Sequence, residues 1–300
     1  MDEQWLLAER FEAHRGRLRA VAYRMLGSVP EADDAVQEAW LRISRADLSD
    51  VDNLGGWLTT VVARVCLNLL RGRARRREEF VDGRVPEPIL DREDGMDPEH
   101  EALLGDSVGL ALLVVLETLA PAERVAFVLH DVFAVPFGEI APVVGRSPTA
   151  TRQLASRARR RVRGVAPEPD RDLRAQRMVV DAFLAAVRAG DFEGLLAVLD
   201  PDIVLRADGG ARWVGATREI RGAETVARSA LTITLRLTGF DVRHALVNGA
   251  AGIVSYDENG QPFSVMGFTV RAGRIVEIDV LADPERLRRL DLTVLDRPSI

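Results

Sequence analysis

Apolar residues in this 300-residue chain recur every three or four positions as far as about residue 164, then every second position near its end. The first period belongs to helices and the second to strands, so no single bundle and no single sheet can bury them all. Residues 17–26 and 31–43 carry the helical spacing, the latter through Val36, Trp40, Leu41 and Ile43, with a turn at residues 27–30, GSVP. A third helix is expected from about Gly56 to Arg73, with Trp57, Val61, Val65 and Leu69 four apart, running into the basic stretch RGRARRR at 71–77.

The sharpest local signal lies further on. Phe137, Ile140, Ala141 and Val144 mark one helical face, Gly145 to Ser147 a tight turn, and Ser147 with Pro148 the N-cap and first position of a second helix. On that helix Ala150, Leu154, Ala158 and Val162 are expected to face inward, leaving Thr149, Arg152, Gln153, Ser156, Arg157 and Arg160 outside. This is a helix-turn-helix pattern whose second helix is rich in side chains that bond guanine and phosphate. An ordinary helical hairpin with a solvated Arg face would show the same spacing.

Beyond the Pro-bearing break at 165–170 a helix from about Leu173 to Ala189 gives way to alternation: Val276, Ile278 and Val280 are apolar, Glu277 and Asp279 polar, and residues 257–260, DENG, form a hairpin-turn signal. The fold class expected is therefore multidomain: two all-α modules followed by an α+β module with one curved antiparallel sheet.

The net charge of -6 argues against a nucleic-acid partner until it is resolved along the chain. Residues 1–77 hold 13 Arg and 11 acids, 78–105 hold 2 and 10, 106–164 hold 8 and 5, and 165–300 hold 17 and 20. Two weakly basic modules, 1–77 and 106–164, thus flank an acidic linker, 78–105, and precede an acidic extension, 165–300. All 40 basic residues are Arg, a planar five-donor fork; a codon bias toward Arg would suffice to produce this. The single Cys66 sits in an apolar run and reads as a buried thiol in a reducing cytoplasm. No apolar stretch approaches a membrane span and the acidic N-terminus carries no secretory signal, so no membrane partner is expected.

Residues 31–42, EADDAVQEAWLR, resemble region 2.2 of bacterial RNA polymerase sigma factors of the extracytoplasmic-function (ECF) class. Residues 57–71, WLTTVVARVCLNLLR, are similar to their regions 2.3 and 2.4, and residues 116–163 to region 4. The remainder resembles the subgroup with a fused, cone-shaped SnoaL-like domain, a relative of nuclear-transport-factor-2-like folds. Residues 84–88, RVPEP, look like that subgroup's Trp-Leu-Pro-Glu-Pro linker motif with its first two positions changed. Residues 208–212, DGGAR, resemble Asp-Gly-Gly-Gly-Lys, and residues 283–287, DPERL, resemble Asn-Pro-Asp-Lys-Leu.

The resemblance implies core polymerase as a partner, through its β′ clamp helices and β flap, and promoter DNA. Asp33, Asp34, Gln37, Glu38 and Trp40 would face the clamp helices; a solvated acidic face is the alternative. For the −10 element it points to Trp57, Arg64, Asn68, Arg71 and Arg73: an aromatic stacks on an unpaired base, Asn reads a base edge and Arg neutralises phosphate. Trp57 fits the apolar stripe equally well. Thr149, Arg152, Gln153, Ser156, Arg157 and Arg160 would enter the major groove at the −35 element. Pro86, Glu87, Pro88, Asp208, Gly209, Gly210, Arg212, Asp283 and Pro284 are the expected regulatory residues, with the extension acting in cis.

The competing reading is enzymatic or sensory. A SnoaL-like cone can enclose a small molecule, and Asp181, Asp208, or His244 with Tyr256 could serve as general acid or base. The four His residues are scattered and no spacing suggests a metal or other cofactor, so none is expected.

Overall fold

A computed structural model describes residues 3–44, 53–75, 85–104, 109–165, 170–210, 217–234 and 240–295. They form two compact units. One holds the described residues up to 75 together with 101–104 and 115–165; the other holds 85–100, 109–114 and everything described from 170 onward.

In the first unit α1 (Glu3–Leu26), α2 (Val29–Ile43) and α3 (Leu54–Arg75) pack on one another. Gly27, at φ 70°, lets the chain leave α1, its N–H donating to the Tyr23 carbonyl at 2.8 Å. Asn53 Oδ1 accepts from Gly56 N at 3.0 Å and so caps the start of α3. Leu58, Val62, Cys66 and Leu70 form the buried stripe of α3. Burial drives the Cys66 thiol up to about 12, so it stays protonated. Past α4 (Pro98–Leu104) and α5 (Leu110–Glu117), α6 (Pro121–Phe127) runs into a π turn at Val128–Val132, followed by α7 (Phe137–Val144) and α8 (Pro148–Val165).

Guanidiniums close the helix ends in this unit. The last carbonyls of a helix lack intrahelical partners and carry partial negative charge. Arg24 donates to the α4 terminal carbonyls of Leu103 at 2.8 Å and Leu104 at 2.5 Å. Arg124 donates to Met25 O at 2.8 Å and Arg73 to Leu26 O at 3.4 Å, both at the end of α1. Arg71 reaches Val144 O, at the end of α7, at 3.4 Å, and Arg17 reaches Phe133 O at 3.2 Å. Arg24 is 5% exposed, and its burial, the dominant cause, lowers its pKa to about 10, which leaves it charged at neutral pH.

The second unit is built on a seven-stranded sheet, ordered β1-β4-β5-β6-β7-β2-β3: β1 (Leu90–Asp91), β2 (Leu199–Asp208), β3 (Thr217–Arg221), β4 (Asp241–Val247), β5 (Ala250–Tyr256), β6 (Pro262–Arg271) and β7 (Arg274–Leu281). Every pairing is antiparallel save β2 with β7, which run parallel because the meander from β4 to β7 returns its last strand to the side of β2. The sheet is therefore mixed where alternation alone suggested purely antiparallel pairing. Register shifts at residues 255/256 and 269/270 bend it. Asp257 Oδ1 accepts from Asn259 N and Gln261 N, which fixes the predicted turn between β5 and β6.

Helices α9 (Leu173–Ala189), α10 (Phe192–Val198) and α11 (Ala223–Thr234) cover one sheet face, where Phe183, Leu195 and Val226 meet Ile203, Leu205, Ile253, Phe268 and Ile278. On a second core Val254, Tyr256, Val265 and Leu281 pack with Val85 and Leu90 from the linker, and with Leu287 of α12 (Pro284–Leu287). This arrangement is an α+β module, as expected of the extension.

Candidate nucleic-acid interface

The turn before α8 is made as its residues dictate. Gly145 takes φ 70°, ψ 42°, and Ser147 Oγ accepts from Ala150 N at 3.2 Å. The buried stripe of α8 is displaced by one residue from the expected one. Thr151, Ala155 and Ala158 are fully buried, whereas Ala150 and Leu154 are only half-buried. Thr151 tolerates that position because its hydroxyl donates to Ser147 O at 2.9 Å. Thr149, Arg152, Gln153, Ser156, Arg157 and Arg160 all remain exposed on the other side. Arg152 lies over the Phe137 ring, 5.3 Å from its centroid, and His130 stacks on that ring at 3.8 Å. Arg157 and Arg161 converge on the buried Glu123, and Arg159 on Asp131.

On α3 the exposed residues Arg64, Asn68, Arg71 and Arg75 follow a three- and four-residue spacing along one edge, with the half-buried Trp57 two turns before them. Arg73 is set apart from this edge: it is paired with Glu31 and with the end of α1, and its side chain is 15% exposed. Arg76, Arg77 and Arg84 lie outside the described residues, as do Ala211 and Arg212.

On α2 the structure divides the acidic cluster. Asp33 turns toward α1 and is held by Arg19 through Nε at 2.5 Å and Nη2 at 3.2 Å. Trp40 is half-buried with its ring 4.9 Å from that of Phe11. Asp34, Gln37 and Glu38 are exposed together with Leu41, which the helical spacing counted among the apolar positions but which is 51% exposed.

The three short motifs meet in the second unit. Pro86, Glu87 and Pro88 are buried, and the following residues form β1 against β4. Asn248, at φ 49°, accepts from Ile89 N at 2.9 Å through Oδ1 and donates its own N–H to Ile89 O at 2.9 Å. Arg286 joins Glu87 at 3.4 Å to Asp208 at 2.5 Å, with side-chain exposures of 10%, 5% and 8%. Asp283 caps α12, accepting from Glu285 N at 2.8 Å, with Pro284 as the first residue of that helix. Gly210 takes φ 61°, and a Cβ there would lie 2.4 Å from Asp283 Oδ2, so the loop after the buried Gly209 approaches α12 more closely than any side chain allows.

The acid–base candidates do not assemble. The half-buried His244 pairs with the exposed Asp181 at 3.4 Å, apart from the others: Asp208 belongs to the Arg286 network, and Tyr256 is buried under the Arg243 guanidinium. A different ionic cluster went unforeseen: Arg206 bridges Glu219, Glu277 and Asp279 at 3.1–3.4 Å. Burial, the largest cause, raises Glu277 to about 7 and Asp279 to about 6, because one guanidinium cannot hold every neighbouring carboxylate ionised. Arg206 is itself raised: burial is the largest influence and lowers it, but Asp279, Glu277 and Glu219 together outweigh it. Among the described residues no group of carboxylate, His and Cys side chains is placed to hold a metal, and no helix is long and apolar enough to cross a membrane.

Comparison with known proteins agrees with this layout. Residues 10–76 match the Sigma-70 region 2 family and residues 109–162 the Sigma-70, region 4 family. ECF RNA polymerase sigma factor SigJ of Mycobacterium tuberculosis is 40% identical over 92% of this chain and 91% of its own length. The chain belongs to the ECF RNA polymerase sigma factors. The probable ECF sigma factor SigI of the same organism is 35% identical over 92% of this chain and 93% of its own. The crystal structure of SigJ superimposes with a TM-score of 0.76 at 36% identity, covering 95% of this chain and 99% of that one. An ECF sigma factor with these regions is a transcription initiation factor, and the extension is part of the shared architecture.

Proposed function

We propose that this chain acts in the cytoplasm, where it binds core RNA polymerase and directs it to promoters, and that it does so as a non-enzymatic factor with its extension regulating it in cis. The domains are 1–77 for region 2, 78–105 for the linker, 106–164 for region 4 and 165–300 for the SnoaL-like extension. Asp34, Gln37, Glu38 and Leu41 dock the β′ clamp helices, with Asp33 and Trp40 shaping that helix from behind; region 4 engages the β flap. Trp57, Arg64, Asn68 and Arg71 receive the −10 strand, while Arg73 fixes the helix ends beneath them. The exposed α8 face is the observation that carries the reading: Thr149, Arg152, Gln153, Ser156, Arg157 and Arg160 share one solvent-facing surface at the second helix of a helix-turn-helix.

The packing of the first unit supports regulation. By their names the −10 and −35 elements lie about 25 base pairs apart, which is about 85 Å of duplex. In the described state α3 and α7 touch, through Arg71 and Val144, and α1, the longest helix among the described residues at 24 residues, is only about 36 Å long. Regions 2 and 4 must therefore part to occupy both elements, and the linker docked on the extension through Glu87 and Ile89 is the segment whose release permits it. Transcription reconstituted with core polymerase tests the reading. The chain should initiate from its own promoter, Arg152→Ala should abolish this, and Asp34→Arg should weaken polymerase binding; failure of the chain to associate with core polymerase would refute it.

A further inference from the structure

Resting on that promoter-binding reading, we infer that Glu123 is a positioning residue that holds Arg157 as an end-on fork for one guanine of the −35 element. Glu123 lies in the first turn of α6, beneath α8, and is 8% exposed. Its Oε1 accepts from Arg157 Nε at 2.9 Å and its Oε2 from Arg161 Nη1 at 3.2 Å, so two arginines one helical turn apart share a single carboxylate. The atoms used differ, and that difference assigns the roles. A guanidinium bound through Nε keeps both Nη groups, and with them the pair of parallel donors that matches guanine O6 and N7. Arg157 is bound in this way, with a side chain 49% exposed. Arg161 spends one of its Nη groups on Glu123, and Arg159 spends both Nε and Nη2 on Asp131 at 2.7 and 2.5 Å. Of the three tethered arginines Arg157 is the one held through Nε alone, so both of its Nη groups stay unengaged.

A free Arg side chain gives up its rotamer freedom when it binds. The carboxylate beneath Arg157 has already fixed that stem, so its fork meets the groove in one orientation and a wrong base leaves two donors unpaired. Phosphate, which accepts from any direction, suits Arg161 and Arg159, which contribute affinity without sequence information.

The test uses the full chain with core polymerase and a promoter library randomised across the −35 element, read by sequencing of the initiated transcripts, with thermal unfolding as a control on folding. Arg157→Ala should erase a guanine preference of about 10-fold or more at one position. Glu123→Ala should flatten that same position and no other, and the double variant should be no worse there than Arg157→Ala alone. Glu123→Gln, which keeps an acceptor for Arg157 Nε, should restore most of the preference. Arg161→Ala should lower initiation evenly across the library. A wild-type preference that Glu123→Ala leaves unmoved, or weakens equally at every position, overturns the positioning role alone. A wild-type chain that selects no −35 sequence overturns the promoter-binding reading with it.

Discussion

Arg286→Ala removes the cation that ties the linker to the extension. Its guanidinium lies 2.5 Å from Asp208 and 3.4 Å from Glu87, and all three side chains are at most 10% exposed. Removing one partner from such a buried arrangement costs about 3–5 kcal/mol, because the remaining charges stay desolvated. Arg289 lies 3.8 Å from Glu87 at 55% exposure and can compensate in part, which favours the lower end, about 3 kcal/mol. In a unit of this size each kcal/mol lowers the melting temperature by about 2–4 °C, so a drop of roughly 6–12 °C is expected. Differential scanning calorimetry of the full chain measures it. Because Glu87 precedes β1 by only three residues, the loss should also appear as faster hydrogen exchange at the Ile89 amide, whose partner is Asn248 Oδ1. Arg286→Lys should recover only part of both effects, since one ammonium cannot reproduce a fork on two carboxylates. If Arg286→Ala melts within about 2 °C of wild type and Ile89 exchanges no faster, the network does not hold the linker.

The Arg206 cluster makes the extension sensitive to pH. Glu277 and Asp279 bind protons more tightly folded than unfolded, so their contribution is complete below their unfolded values near 4 and is lost as pH rises through about 6 and 7. Glu277→Gln should therefore gain stability over wild type between pH 5 and pH 8, by up to about 3 kcal/mol in urea titrations, and a pH-independent difference would exclude this. Cys66, buried and protonated, should resist alkylation in the folded chain, so cysteines placed at the exposed Ala13 and Arg163 can be labelled selectively; energy transfer between them should fall when a promoter complex forms, and an unchanged signal would contradict the parting of regions 2 and 4. Gly145→Ala should cost about 1 kcal/mol, because φ 70° opposes a Cβ although nothing crowds the site; no loss in thermal unfolding would show that the turn relaxes.

Local chemistry made some of this fold legible and left the rest hidden. The bounds of α9 follow from its period, from Asp172 accepting from Arg174 N and Ala175 N, and from Gly190 at φ 67°. Ser147, Pro148 and Gly145 announced the helix-turn-helix because caps and turns are written in adjacent residues. Thr151 and Ala155 were missed because a threonine and a small residue look like surface until a hydroxyl is seen bonding back to Ser147. Alternation along β7 marked Glu277 and Asp279 as polar; that both are buried and bonded to Arg206, 71 and 73 residues away, is beyond what the strand itself reports. The RVPEP, DGGAR and DPERL stretches stood out as motifs, but the ion pair joining two of them spans 199 residues, and no local rule reports such a meeting.

The absence of Lys takes on a structural sense in this light, whatever its origin in the codons. Arg124 places one Nη on Met25 O and Glu117 Oε1 and the other on Glu117 Oε2, and Arg24 divides its two Nη groups among three carbonyls. A single ammonium could not occupy either arrangement, since the donors must sit a fixed distance apart in one plane. The same planarity lets Glu123 hold Arg157 by one edge while the other edge stays free. Net charge therefore says little about what this chain binds: many of its guanidiniums are spent on helix ends and buried carboxylates, and the cations open to DNA are those held by one edge only, such as Arg157, together with those, such as Arg64, Arg75, Arg152 and Arg160, that have no ion-pair partner among the described residues and stand exposed on α3 and α8. A basic face can thus coexist with an acidic chain, provided the acids are placed where they orient arginines rather than where they meet phosphate.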